Sequence, residues 1–121
     1  MAWQFNNHDA VFIQIANRLR SEIVCGKYPQ GSQIPSVRQL AFEAAVNPNT
    51  MQKALACLEQ DGLLHTHGTA GRFVTSDTAV FAAVREKLLR DTVRRWLEQA
   101  ESLNISTDEL INYIKEEAKK P

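Results

Sequence analysis

The stretch at residues 36–62 is SVRQLAFEAAVNPNTMQKALACLEQDG, and its pattern predicts two short helices joined by a tight turn. Ser36 is followed three residues later by Gln39. This is the spacing of a capping box, in which each side chain bonds the backbone N–H of the other residue. We therefore expect the first helix to run from residue 37 to about residue 44.

The second helix of this stretch begins directly after the turn. Asn47 is a favoured N-cap, and Pro48 suits the first helical position, where its missing N–H costs nothing. The apolar period stops at Gly62, so we expect this helix to run from residue 48 to about residue 61. Two short helices joined by three or four residues form a helix-turn-helix.

The flanking segments predict a winged helix over residues 1–76. Apolar residues at three- and four-residue steps predict a helix over residues 9–25. Two β-prone runs within residues 63–75 surround a Gly-containing loop, which predicts a hairpin, and a hairpin directly after a helix-turn-helix is a wing. Near the N-terminus, Trp3 and Phe5 alternate with polar residues, which favours a short edge strand or an anchoring arm.

The remaining residues, 77–121, predict a helical tail, so the fold class is mainly α with a small β-wing. Apolar residues at helical spacing predict a long helix over residues 79–103, and Ser106 with Glu109 forms a second capping box. Two helices make a poor core alone, so we expect them to dimerise rather than to pack back on the winged helix. The side chains expected at that interface are Phe81, Leu88, Leu89, Trp96 and Leu97.

Composition limits the class of protein more than it identifies it. Of the 121 residues, 44% are hydrophobic and 23% are charged, which is ordinary for a soluble globular protein. No apolar run approaches the roughly 18 residues of a membrane span, and the N-terminus does not resemble a secretory signal. We therefore expect a cytoplasmic protein.

The cysteines and histidines do not predict a metal or redox site. Cys25 and Cys57 lack metal-binding spacing, and we expect both to be reduced and buried. His65 and His67 alternate along a predicted strand, but no third ligand follows at a suitable spacing. The sequence therefore predicts no metal and no cofactor.

The predicted helix-turn-helix points to DNA, because its second helix presents N-terminal side chains to base edges in the major groove. With Met51 and Leu55 turned inward, the outer side carries the amides of Asn49 and Gln52 and the cation Lys53. Each of these on its own is more often a solvated surface residue. Their combination at the start of this helix favours a DNA contact.

Cations at two other places support the same hypothesis. Arg38 lies in the first turn of its helix, where the helix dipole disfavours a cation and a nearby phosphate would offset that cost. The alternative is a surface arginine paired with Glu43 or solvent. In the wing, Gly68 would let the backbone approach DNA closely beside His67, although a plain turn explains both residues equally well. Arg72 would add attraction for phosphate.

Residues 26–41, GKYPQGSQIPSVRQLA, resemble the GntR family of bacterial regulators, which typically has Gly-x-x-x-x-Gly-x-x-Leu-Pro-Ser-x-Arg-x-Leu-Ala at this place. The resemblance continues through NPNT at residues 47–50 and covers roughly residues 10–75. The wing departs from it, because GTAG at residues 68–71 is one residue longer than the family's usual Gly-x-Gly. The resemblance implies operator contacts by Arg38, Asn47, Asn49, Thr50, Gln52, His67 and Gly68.

The short tail resembles the YtrA-type subgroup, in which a helical tail dimerises. Two helices are too small to enclose a ligand pocket of about 300 Å³, so an effector is an open question. We expect a homodimeric, sequence-specific transcriptional regulator on a pseudo-palindromic operator with half-sites about 34–36 Å apart. A repressor is the leading hypothesis and an activator is the alternative, because the sign of regulation depends on the position of the operator. The full set of expected DNA-binding residues is Ser36, Arg38, Asn47, Pro48, Asn49, Thr50, Gln52, Lys53, His67, Gly68 and Arg72.

The neutral net charge, with 14 basic and 14 acidic residues, counts against DNA binding, since DNA binders are usually basic. It favours the main alternative, a winged helix that binds another protein. An enzyme is the third hypothesis, but the sequence offers no nucleophile with a base partner, no carboxylate pair in a cleft and no phosphate loop.

Overall fold

The computed structural model describes residues 2–121, and it confirms a mainly helical fold with a small β-wing. The elements of this part of the chain are α1 (Val11–Val24), α2 (Val37–Ala44), α3 (Pro48–Gln60), β1 (Leu64–Thr66), β2 (Arg72–Val74), α4 (Thr78–Ser102) and α5 (Thr107–Ala118).

The core forms where α1, α2 and α3 pack together with the base of the wing. α3 contributes a complete apolar stripe at helical spacing, and Met51, Ala54, Leu55 and Leu58 are all fully buried. α1 buries Ile15 and its neighbours on the same face in the same way. Because one side of α3 is wholly occupied by this packing, its opposite side is left on the surface.

The turn of the helix-turn-helix is three residues long, since α2 ends at Ala44 and α3 begins at Pro48. Each helix is capped as expected at its start. The Ser36 hydroxyl accepts from the Gln39 N–H at 3.1 Å, and the Asn47 side chain accepts from the Asn49 N–H at 2.8 Å. The return bond of the first capping box is absent within residues 2–121, so only its Ser36 half forms.

The wing is a short antiparallel hairpin in which Leu64 pairs with Val74 and Thr66 with Arg72. A third segment lies along its outer edge. The N–H of Val74 donates to the Ser32 carbonyl at 2.8 Å, and the N–H of Ile34 donates to the Arg72 carbonyl at 3.0 Å. The turn before α2 therefore also covers the free edge of the hairpin, which the sequence pattern did not indicate.

The N-terminal segment is an anchoring arm and not a strand. Trp3 and Phe5 pack against the core, and the Trp3 N–H donates to the Ala44 carbonyl at 3.4 Å. The Arg18 guanidinium lies 3.9 Å from the centroid of the Trp3 ring. Cation and ring attract each other at this distance, which holds the arm against α1.

Two compact units divide the chain, one reaching Arg85 and the other running from Glu86 to Pro121. The expected boundary was after residue 76, but Phe81 and Val84 in the first turns of α4 pack against the winged-helix core. Phe81 therefore lies elsewhere than expected, and we leave it out of the proposed dimer interface. Among residues 2–121, no helix combines the length and apolar character that crossing a membrane requires.

Cys25 corrects a second expectation, because its side chain is exposed rather than buried. It lies just beyond the last turn of α1, where its thiol donates to the Glu22 carbonyl at 3.2 Å. The buried stripe of α1 ends at Ile23, so the helical period turns Cys25 away from the core. Cys57 is half-buried.

Candidate nucleic-acid interface

The start of α3 exposes several polar side chains. Pro48, Asn49, Gln52 and Lys53 are exposed, and Thr50 is half-buried at the border with the core. On the inner side of the same turns, Met51 is fully buried. The amide groups of Asn49 and Gln52 can each donate and accept, which is the chemistry that reads adenine in the major groove.

The two cap residues keep part of their hydrogen-bonding capacity for a ligand. Ser36 and Asn47 are exposed, and each uses one side-chain oxygen as an acceptor within its own helix. The Ser36 hydroxyl proton and the Asn47 amide N–H groups remain donors. Donors of this kind suit phosphate oxygens, which accept but do not donate.

Ion pairing determines which cations of the winged helix remain available to bind an anion. Residues 1–75 contain six Lys and Arg and five Asp and Glu. Within residues 2–75, four of the six cations are paired with carboxylates, and the two without an ion pair are Arg38 and Lys53. The paired cations are Arg18 and Lys27 with Glu22, Arg20 with Asp61, and Arg72 with Glu59.

Both unpaired cations lie on the predicted DNA-binding side of the helix-turn-helix. Arg38 is exposed in the first turn of α2, so its pairing with Glu43, the alternative interpretation, is not what the structure has. Lys53 is exposed on α3, with its Nζ 6.0 Å from the centroid of the Phe12 ring. At this distance the aromatic face leaves the hydrogen-bond donors of Lys53 available to an anion.

The wing tip is a tight turn that holds its residues in the solvent. The N–H of Ala70 donates to the His67 carbonyl at 2.8 Å, and the His67 N–H donates to the Gly71 carbonyl at 3.1 Å. His67 and Gly68 are both exposed at this turn. A Cβ added to Gly68 would meet nothing within 4 Å, so the backbone there is open to a close approach.

Aromatic rings cluster on the outer face of the wing. The ring centroids of His65 and His67 are 4.6 Å apart, and that of Phe73 lies 5.3 Å from His67. The edge-to-face arrangement of these rings is a favourable packing geometry. Across residues 2–121, no group of three or more potential ligands could hold a metal ion.

Arg72 differs from the other expected DNA contacts because its charge is already engaged. Its Nε donates to Oε1 of Glu59 on α3, and the Arg72 side chain is only 16% exposed. The Thr66 hydroxyl donates to the same carboxylate oxygen at 3.1 Å. Arg72 therefore joins the wing to α3 and is not a free cation for phosphate.

Two residues that hold the wing were not recognised from the sequence. Glu59 joins both strands to α3, and the Gln33 side-chain amide donates to the Ala70 carbonyl at the wing tip. Opposite charges at Glu59 and Arg72 were a visible signal. The two charges alone do not predict an ion pair, because the hairpin register that brings Arg72 opposite Thr66 is not known from the sequence.

Comparisons with known proteins agree with this geometry. The model for "Bacterial regulatory proteins, gntR family" matches residues 13–74, just over half of the chain. The uncharacterized HTH-type transcriptional regulator YhcF of Bacillus subtilis is 28% identical over 112 residues, which are 93% of both chains. The HTH-type transcriptional repressor YtrA of the same organism is 28% identical over 88% of this chain and 82% of its own.

Solved structures extend the likeness to three dimensions. A GntR family transcriptional regulator from Listeria monocytogenes aligns with a TM-score of 0.84 and 28% identity, covering 93% of this chain and 98% of that one. AraR(DBD), solved in complex with operator ORX1, aligns with a TM-score of 0.54 and 26% identity over 60% of this chain and 93% of its own.

The matched region, residues 13–74, runs from α1 through β2 and thus contains the whole exposed surface described above. The chain belongs to the gntR family of bacterial regulatory proteins, which are DNA-binding transcriptional regulators and not enzymes.

Proposed function

We propose that this protein is a homodimeric repressor that binds a pseudo-palindromic operator by placing α3 of each subunit in the major groove. The observation that carries the proposal is the surface at the start of α3. There, Asn49, Gln52 and Lys53 are exposed while the opposite side of the helix is fully buried. We assign the protein to the bacterial cytoplasm, where its DNA target lies.

Base discrimination comes from the two amides in this assignment. A bidentate amide-to-adenine pair contributes about 1–3 kcal/mol of preference over the wrong base. Arg38 and Lys53 neutralise phosphates, and their freedom from internal ion pairs supports that role. Ser36 and Asn47 add hydrogen bonds to the DNA backbone, while Pro48 and Thr50 contact it as neighbours on the same surface.

The wing places His67 and Gly68 at a minor groove beside the recognition helix. Their exposure and the open space around Gly68 support this placement. The sequence pattern predicts that Arg72 binds phosphate directly. Because its guanidinium is engaged by Glu59, we assign it a positioning role instead.

Dimerisation is supported by the apolar surface of the second unit. Four large apolar side chains on one face of α4 are at least 40% exposed. In addition, α5 buries none of its side chains, although one of its faces is apolar. A 12-residue helix is marginal in water without packing, so an apolar partner surface is needed. The α4 residues are Leu89, Val93, Trp96 and Leu97, whereas Leu88 of the expected set is half-buried.

A second copy of the chain is the partner that fits a two-fold symmetric operator. Two subunits present two recognition helices, and adjacent half-sites lie about 34–36 Å apart in such complexes. Repression is supported by the relative YtrA, which is named a repressor. A dimer that occupies a promoter blocks transcription by excluding the polymerase.

One set of measurements tests the proposal in order. Selection of bound duplexes from a random-sequence pool should enrich an inverted repeat, and fluorescence anisotropy should show affinity for it that falls steeply with salt. Sedimentation equilibrium should give a dimer, and transcription in vitro from a template carrying the repeat should decrease. A protein that enriches no sequence, or that binds no DNA even at low salt, would be a protein-binding winged helix instead.

A further inference from the structure

We propose that Glu59 is a positioning residue that fixes the wing against α3, so that the recognition helix and the wing tip meet DNA as one rigid surface. The proposal rests on the proposed function, because it assumes that both elements contact the operator. It assigns a role to a residue that does not itself touch DNA.

A single carboxylate oxygen anchors both strands of the wing. Oε1 of Glu59 accepts from the hydroxyl of Thr66 on β1 and from Nε of Arg72 on β2. Thr66 and Arg72 are partners in the hairpin register. One atom on α3 therefore holds a complete cross-strand pair.

This pair is the last one before the wing tip. The turn with His67 and Gly68 begins directly after Thr66, so a shift of the pair moves the tip by a similar distance. Strands of only three residues do not form a stable hairpin alone. The direction of the wing must therefore be set by contacts with the rest of the domain.

Partial burial strengthens this anchor. The side chains of Arg72 and Glu59 are 16% and 33% exposed, so solvent screens their attraction less than it screens a surface pair. A second contact acts from the other edge, where the Gln33 amide donates to the Ala70 carbonyl. The tip is thus held from the side of α3 and from the side of the segment before α2.

The competing hypothesis is that Arg72 binds phosphate and that Glu59 only adds unfavourable negative charge near DNA. The two hypotheses are separated by comparing Glu59→Ala with Glu59→Gln, since both changes remove one negative charge. Only glutamine keeps an oxygen that accepts from Thr66 and Arg72. Positioning therefore predicts different results for the two variants, and a pure charge effect predicts the same result.

The measurement is the ratio of the Kd for random-sequence DNA to the Kd for the selected operator. Electrostatic attraction to the backbone enters both values and cancels. We expect Glu59→Ala and Arg72→Ala each to lower this ratio by roughly tenfold, the double variant to be no worse than either, and Glu59→Gln to stay within about threefold of the wild type.

A matched ion pair on the same helix provides the control. Asp61 binds Arg20 of α1 at 2.8 Å, with similar exposure, and within residues 2–121 its side chain makes no hydrogen bond to the wing. Arg20→Ala should lower the unfolding free energy as Arg72→Ala does, and leave the ratio unchanged. All variants are measured below the temperature at which the weakest begins to unfold.

Different results would contradict the positioning role of Glu59 and the proposed function of the protein. Equal ratios for Glu59→Ala and Glu59→Gln, or a loss with Arg20→Ala as large as that with Arg72→Ala, would overturn the positioning role. An Arg72→Ala variant whose salt slope falls by about one with an unchanged ratio would instead show a phosphate contact. If the wild-type protein shows no sequence preference, the proposed function itself is wrong, whatever the variants show.

Discussion

The backbone N–H of Val46 donates to the carbonyl oxygen of Ala41 at 3.0 Å, and this bond closes α2 at the turn of the helix-turn-helix. Between them, Ala45 has φ 57° and ψ 48°, and its N–H donates to the Phe42 carbonyl at 3.2 Å. This pair of bonds is a Schellman motif, whose left-handed residue is usually glycine. Here an alanine bears the strain of that conformation.

Replacing Ala45 with glycine should stabilise the protein. The left-handed conformation costs a residue with a Cβ about 1–2 kcal/mol, and glycine avoids this cost. Part of the gain is offset because glycine has more conformational freedom in the unfolded chain. We expect Ala45→Gly to raise the unfolding free energy by about 0.5–1 kcal/mol in urea titrations at one protein concentration. Ala56→Gly, at an exposed position inside α3, should lower it by about 1 kcal/mol. If Ala45→Gly destabilises the protein as Ala56→Gly does, the hypothesis that Ala45 is strained is wrong.

Gln52 and Lys53 are neighbours on α3 with different expected roles. Gln52→Ala should reduce discrimination at one operator position by about 1–3 kcal/mol, because a base-edge contact is lost. Lys53→Ala should weaken binding to all sequences alike and reduce the salt slope by about one, because a phosphate contact is lost. A panel of operator variants titrated by anisotropy at several salt concentrations distinguishes the two. Uniform losses for both variants would contradict the base-reading role of Gln52.

Val93 should be sensitive to charge if α4 forms the dimer interface. Its side chain is 47% exposed on the same face as Leu89 and Trp96. We expect Val93→Glu to shift the protein to a monomer in sedimentation equilibrium, because burying an unpaired carboxylate is costly. Arg95→Gln changes the net charge equally on the opposite side of α4 and should remain a dimer. A dimer in both variants would place the interface elsewhere.

Gly71 tests the second anchor of the wing. It has φ 107°, and a Cβ there would lie 2.7 Å from the side-chain nitrogen of Gln33. Gly71→Ala should therefore lower the unfolding free energy by about 1–3 kcal/mol through backbone strain and loss of the Gln33 bond to Ala70. In a protein that already carries Gln33→Ala, Gly71→Ala should lower the unfolding free energy by less than it does in the wild type. Gly68→Ala, which meets no neighbour, should cost the same in both backgrounds.

The sequence by itself determined the local elements, because each is encoded within a few neighbouring residues. Ser36, Asn47 and Pro48 mark where α2 and α3 begin, and the three- and four-residue period of Met51 and Leu55 identifies the buried side of α3. Burial of one side decides which residues face outward. The pattern therefore predicts that Asn49, Gln52 and Lys53 are exposed, and they are.

Only the tertiary structure decided the roles that depend on residues distant in the chain. Whether a cation is free or neutralised depends on which carboxylate lies beside it, and helical or strand spacing does not contain that information. The free cations Arg38 and Lys53, the engaged Arg72 and the inward turn of Phe81 all emerged from packing between elements. Local hydrogen bonding determines where an element begins. Whether a charged side chain on that element is ion-paired depends on which residues from other parts of the chain pack beside it.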